Sequence, residues 1–245
     1  MPASKKEREA NRQAFKKMNT REKIDYIFAY YKLPIFTACV VLVVAVTSIV
    51  RAVTKKDVVF YLSYINTVFG DTLNTELTDG YLNASGIDTA KNEVLVYSGL
   101  YIDEDANAEN HELAYASKLK ILGAINAKQM DAAIMNDNAV GQMSASGLLL
   151  NLENVKEAFP MQYEKLHPYM IANTVILDDN SVEYDLNEAD TYEAVTEEVL
   201  NSIDVSSFPI FQNAGIDGRI SVGVIANTTH LENVLNYFVY LLGEN

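Results

Sequence analysis

The 245-residue chain has one cysteine, no tryptophan, five prolines and three histidines. A lone cysteine, Cys39, excludes an intramolecular disulfide framework and a four-cysteine zinc site, so the fold must be held by its core. The histidines, His111, His167 and His230, lie far apart, and none has a partner at metal-ligand or triad spacing. Motifs of the G-x-S-x-G, P-loop and H-E-x-x-H kinds are missing. No catalytic constellation, no metal and no cofactor are therefore expected, and the chain does not read as an enzyme.

Basic residues are scarce over most of the length. Residues 57–245 hold seven Lys/Arg against 29 Asp/Glu. That excludes nucleic acid as a partner of this part, because phosphate recognition needs a basic surface. The net charge of −14 hides an N-terminus of opposite sign: residues 1–32 hold nine Lys/Arg against four acids. A basic head and an acidic body belong to two different environments.

Between them runs "LPIFTACVVLVVAVTSIV", residues 33–50, without a charge. At 1.5 Å per residue it spans roughly 27 Å, close to the hydrocarbon thickness of a bilayer. Lys32 and Arg51 bracket the run, and Tyr26, Phe28, Tyr30 and Tyr31 precede it as an aromatic belt would. The pattern predicts one N-terminal transmembrane helix over 33–53, with a buried soluble helix as the alternative. A cleaved signal peptide fits less well, since the lead is long and no A-x-A site follows. "FTAC" at 36–39 resembles a lipoprotein cleavage box, but Cys39 comes too early in the apolar run. A retained, single-pass signal anchor is expected, with the lipid bilayer as partner. The excess of basic residues before the run, against Arg51, Lys55 and Lys56 after it, places the N-terminus in the cytoplasm and the C-terminal domain outside the cell membrane. The basic residues of the head either set topology alone or also touch anionic headgroups, each contact contributing about 1 kcal/mol.

Beyond the apolar run, "DVVFYLSYI" (57–65), "NEVLVYSG" (92–99), "MDAAIM" (130–135) and "RISVGVIAN" (219–227) read as buried strands. Helices are expected over 71–83 and over 110–129, where Tyr115, Leu119, Leu122 and Ile125 fall on one face. A short helix capped by Asp137 or Asn138 should reach Ser146 and end at Gly147, after which "LLLNL" returns to the sheet. Residues 152–166 suit a helix interrupted near Pro160, and "ANTVILDDNSVEYDL" (172–186) suits a hairpin turning at "DDNS". A helix over 189–203 would align Tyr192, Val195, Val199 and Ile203. Thr229 and Glu232 fit a capping box for a last helix, and Asn19 with Glu22 fits another at the head. Alternating strands and helices predict an α/β fold with a mainly parallel sheet and helices on its faces.

The segment "NAKQMDAAIMNDNAVGQMSASGLLLNLENV" and the terminal "GRISVGVIANTTHLENVLNYFVYLL" resemble stretches of extracellular solute-binding proteins of the type II periplasmic-binding fold. The first resembles that family's strand, polar turn, helix and G-x-L-x-x-L; the second, with Thr228 in place of the serine, is similar to its V-x-A-N-S return strand and closing helix. The likeness covers about 57–155 and 205–242. It implies a solute-binding-like lobe within an exported domain at 57–245, with a reduced second lobe at about 156–204. Family members close two full lobes on a ligand, and only about fifty residues stand in the second lobe's place here.

A retained cleft should lie outside the carboxyl ends of the strands. That selects Asn66 and Thr67 after the first strand, Ser98 and Tyr101 after the second, and Asn136, Asp137 and Asn138 after the third. Asn227 and Thr228 after the last strand would complete it. The alternative for Asp137, Asn138, Thr228 and Thr229 is that they only cap helices. Asp103, Asp105 and Asn107 have the first spacings of a calcium loop, but Ala108 and Ala114 stand where such a loop needs Gly and Glu. Asn83-Ala84-Ser85 and Asn227-Thr228-Thr229 match glycosylation triplets. Two functions remain open: a membrane-anchored, non-enzymatic module that binds or senses a small-molecule ligand, or a protein-interaction module for a membrane-protein partner that has lost ligand binding.

Overall fold

In the computed structural model, which describes residues 5–103, 110–180, 192–212 and 218–243, the chain divides into two units, Met1–Lys55 and Lys56–Asn245. The first unit holds helices α1 (Lys5–Lys17) and α2 (Thr20–Thr54). α2 opens as expected: the Asn19 side chain accepts from the Glu22 amide at 2.9 Å, and the Glu22 carboxylate accepts from the Asn19 amide at 3.0 Å. This reciprocal box satisfies two amides that a helix start leaves without carbonyl partners.

Among the described residues, no helix is long and apolar enough to cross a membrane. This corrects the single-pass transmembrane helix, and the signal anchor built on it, expected over 33–53. α2 is long, with Pro34 inside it and the apolar stretch Leu33–Val46 along it. Its residues are exposed in this unit, Leu33 and Phe36 the most.

The second unit is built on six strands: β1 (Asp57–Ile65), β2 (Asn92–Leu100), β3 (Ala132–Asn136), β4 (Met170–Asp179), β5 (Ala194–Asp204) and β6 (Ile220–Val224). Their order across one sheet is β2-β1-β3-β6-β5-β4. β1 pairs parallel with β2 and β3, whereas β3–β6, β6–β5 and β5–β4 are antiparallel. The sheet is therefore mixed, which corrects the mainly parallel sheet. The α/β class stands.

β1 carries its alternation into both faces. Phe60, Leu62 and Tyr64 face one core and Ile65 the other. On the first face lie α3 (Asp71–Thr75), a π-helical turn (Glu76–Gly80) and α4 (Tyr81–Ala84), with residues of α7 (Pro160–Leu166), α8 (Pro209–Gln212) and α9 (Leu231–Leu241) in the same cluster. α5 (His111–Asn126) and α6 (Asp137–Ala145) contribute to the second. α9 turns the expected stripe inward: Val234, Leu235, Phe238 and Leu241 are buried. Its N-cap is His230 with no side-chain cap, so the Thr229–Glu232 box does not form. Pro160 sits at the first turn of α7, where its missing amide costs nothing.

Two elements differ from expectation. Residues 194–204 form strand β5 rather than a helix, and β5 rather than 182–186 is the partner of β4. Val195, Val199 and Ile203 are four apart, a spacing that fits one face of a helix and equally one face of a strand. The turn and second arm of the expected hairpin, from 181 onward, lie outside the described residues, as do 104–109 of the calcium-type loop. On α5 the buried side is Ala114, Ser117, Ile121 and Ile125, while Tyr115 and Leu119 face outward.

The first core contains a ring cluster of Phe60, Tyr81, Tyr237 and Tyr240, with Phe60 and Tyr237 centroids 5.0 Å apart. Tyr81 donates to the Asn233 carbonyl and Tyr240 to the Glu76 carbonyl in the π turn. The Tyr237 hydroxyl is buried without a hydrogen bond among the described residues. A buried hydroxyl without a partner costs stability, so Tyr237→Phe should raise it by about 1 kcal/mol in urea unfolding. A loss of stability would show that the hydroxyl is satisfied in solution.

Candidate functional site

Connections decide where a cleft opens. The chain leaves β1 through α3 and α4 on one face to reach β2, then crosses through α5 on the other face to reach β3. β2 and β3 thus flank β1 on opposite sides, with their connecting helices on opposite faces. Such a reversal leaves a crevice outside the carboxyl ends of the two strands it separates.

A cavity of about 530 Å³ occupies that place, lined chiefly by Asn66, Thr67 and Phe69 after β1, by Asn136, Asp137 and Asn138 after β3, and by Arg219 before β6. Arg219 arrives because β6 runs antiparallel to β3, pairing Ile220 with Asn136. Its guanidinium donates to the Asp137 carboxylate, and both side chains are about half exposed. An exposed ion pair is worth little in stability, so this pair can exchange partners at small cost.

The amides around it are more committed. Asn66 takes a left-handed backbone (φ 55°) and clasps Ile102 from both sides: its Nδ2 donates to the Ile102 carbonyl and its Oδ1 accepts from the Ile102 amide, each at 2.8 Å. Thr67 donates to the Ile134 carbonyl at 3.3 Å. Asn136, not Asp137 or Asn138, is the N-cap of α6, accepting from the Ala139 amide at 3.0 Å. Asn138 accepts from Gln142 on the exposed side of the helix. These bonds hold the cavity's rim in place, and Arg219 with Asp137 supplies its charge.

The expected site is thus brought together in part. Asn66, Thr67, Asn136, Asp137 and Asn138 line one cavity. Ser98 lies exposed on β2, and Tyr101 donates to Asp103 at 2.8 Å, a bond that pushes its hydroxyl pKa upward. Asn227 and Thr228 sit at the opposite end of the strands, a placement that follows from the antiparallel β6: its carboxyl end adjoins the start of β3. There Asn227 donates to the Ile125 carbonyl. Arg219 was missed, since a single charge opening an apolar strand gives no local signal.

A second cluster also escaped the sequence. The Asp131 side chain is fully buried and accepts from the Tyr61 amide at 2.8 Å, from the Thr228 hydroxyl and from Nδ1 of His230 at 3.0 Å. Among the described residues, no group of three or more His, Cys, Asp and Glu side chains could hold a metal ion.

Fold and cavity together define an α/β domain with a mixed six-stranded sheet and a polar crevice at its switch point. Comparison with protein-family models, with curated proteins and with solved structures finds no match.

Proposed function

We propose that residues 56–245 form a non-enzymatic binding module whose ligand is a small polar molecule. The observation that supports this is the coincidence of the 530 Å³ cavity with the switch point between β1 and β3. Open α/β sheets take ligands there because strand ends and helix starts present backbone and short polar groups to one space. Asp137 and Arg219 would exchange their mutual contact for groups of opposite charge on the ligand, while Phe69 offers it an apolar wall.

A thermal-shift screen of the full chain against sugars, amino acids, short peptides and divalent ions tests the reading. A ligand at 100 times its dissociation constant adds about 2.7 kcal/mol. A shift that Arg219→Ala removes supports the module. A flat screen on a cooperatively melting chain overturns it.

A further inference from the structure

We propose that the outer edge of β4 is a strand-addition site for an extended basic segment of a partner protein. This surface is separate from the switch-point cavity and does not depend on it.

β4 is the last strand of the sheet, so among the described residues one row of its main-chain donors and acceptors has no neighbouring strand. Proteins commonly blunt such an edge with lysine or proline, and the ten residues Met170–Asp179 contain neither. α6 covers the inner part, where Ser144 Oγ donates to the Thr174 carbonyl at 2.9 Å. Beyond that point lies a groove of about 690 Å³, walled by Ile176, Leu177, Asp178 and Asp179 on one side and by Lys118 and Gln142 among those opposite. Successive strand residues point to opposite faces, so a groove that meets four in a row runs along the strand's edge.

The outer ribbon is held by little burial. Ala194–Glu198 are all exposed, and Leu177 and Val195 present apolar side chains at 59% and 60% exposure. An added strand would cover Leu177, which lies on β4 itself. Charge selects the occupant: residues 170–180 and 192–204 carry six Asp/Glu and no Lys/Arg. A second copy paired through this edge would set acid against acid, which is unfavourable across a strand pair. A basic segment gains attraction there, with main-chain bonds giving affinity and alternate side chains giving specificity.

The test titrates the full chain with a fluorescent peptide of alternating lysine and valine, about five residues long to match the open stretch from Val175 to Asp179. A twin of equal charge, N-methylated at every second residue, lacks the donors that strand addition needs. The unmodified peptide should bind, and its dissociation constant should rise about tenfold or more both for the twin and for an Asp178→Lys, Glu197→Lys protein of unchanged melting temperature. Equal binding of the twin would reduce the contact to charge alone and overturn the proposal. So would an absence of binding at millimolar peptide, or sedimentation showing that the free chain pairs with itself through β4.

Discussion

Asp131→Ala should cost the 56–245 unit about 3 kcal/mol, because it leaves the groups bonded to that side chain without their acceptor. Three groups converge on that fully buried side chain, and alanine returns none of their bonds. The Tyr61 amide suffers most, since it is part-buried beside the β1–β3 ladder. The Thr228 hydroxyl and the half-buried His230 ring lie nearer the surface and recover part of their loss by hydration. Asp131→Asn keeps one acceptor and should cost roughly half as much. His230→Ala should cost about 1 kcal/mol, because its ring is partly exposed. Urea unfolding with an unchanged slope would establish the order Ala, then Asn, then His230→Ala. Equal effects for all three would mean that Asp131 does not anchor the junction of β1, β3 and the start of α9.

The second large effect is alkaline. Burial raises the hydroxyl pKa of Tyr64 and Tyr81 above the ordinary value near 10 and raises Tyr237 well above it; nearby tyrosines add to the shift of Tyr237. Hydrogen bonding to Glu153 pushes Tyr163 to about 12. Above pH 10 these groups lose their protons in the unfolded chain and keep them in the folded one. The unfolded state then binds fewer protons, so stability is whole below pH 10 and falls as pH rises through the folded values. Each of the three buried hydroxyls contributes up to about 1.4 kcal/mol per pH unit, together about 4. Against a typical total of 5–15 kcal/mol, cooperative unfolding is expected around pH 11 to 12. Tyrosinate absorbance and far-ultraviolet circular dichroism should change together there. Smooth ionisation of every tyrosine near pH 10, with the fold retained, would contradict the burial of the cluster.

Much of the scaffold was legible in local sequence. β1, β2, β3, β6 and α9 announce themselves by apolar runs or stripes, and the Asn19–Glu22 box by its spacing alone. What failed lies between elements. Strand direction is not written in a strand: "RISVGVIAN" reads the same in either sense, and its antiparallel placement moved Asn227 and Thr228 to the far end of the strands while bringing in Arg219. Spacing by four at Val195, Val199 and Ile203 is shared by two periods, and the β-branched residues there argued for the one that forms. On α5 the larger apolar residues, Tyr115 and Leu119, lost the buried face to Ala114 and Ser117, which let the helix approach the sheet more closely. At 33–50 the uncharged run suggested a span that no described helix supplies. The partnership of Asp131 with His230 joins residues 99 apart and has no local trace.

The most direct measurement of the switch-point site is calorimetric affinity for the strongest ligand of the thermal screen, in the wild-type chain, in Arg219→Ala and in Asn227→Ala. Arg219 lines the cavity, and Asn227 lies at the opposite end of the strands. The expected result is a loss of about tenfold or more in Arg219→Ala, at least 1.4 kcal/mol, with no change in Asn227→Ala. Full affinity in Arg219→Ala, or a loss confined to Asn227→Ala, would place the ligand elsewhere and contradict the site.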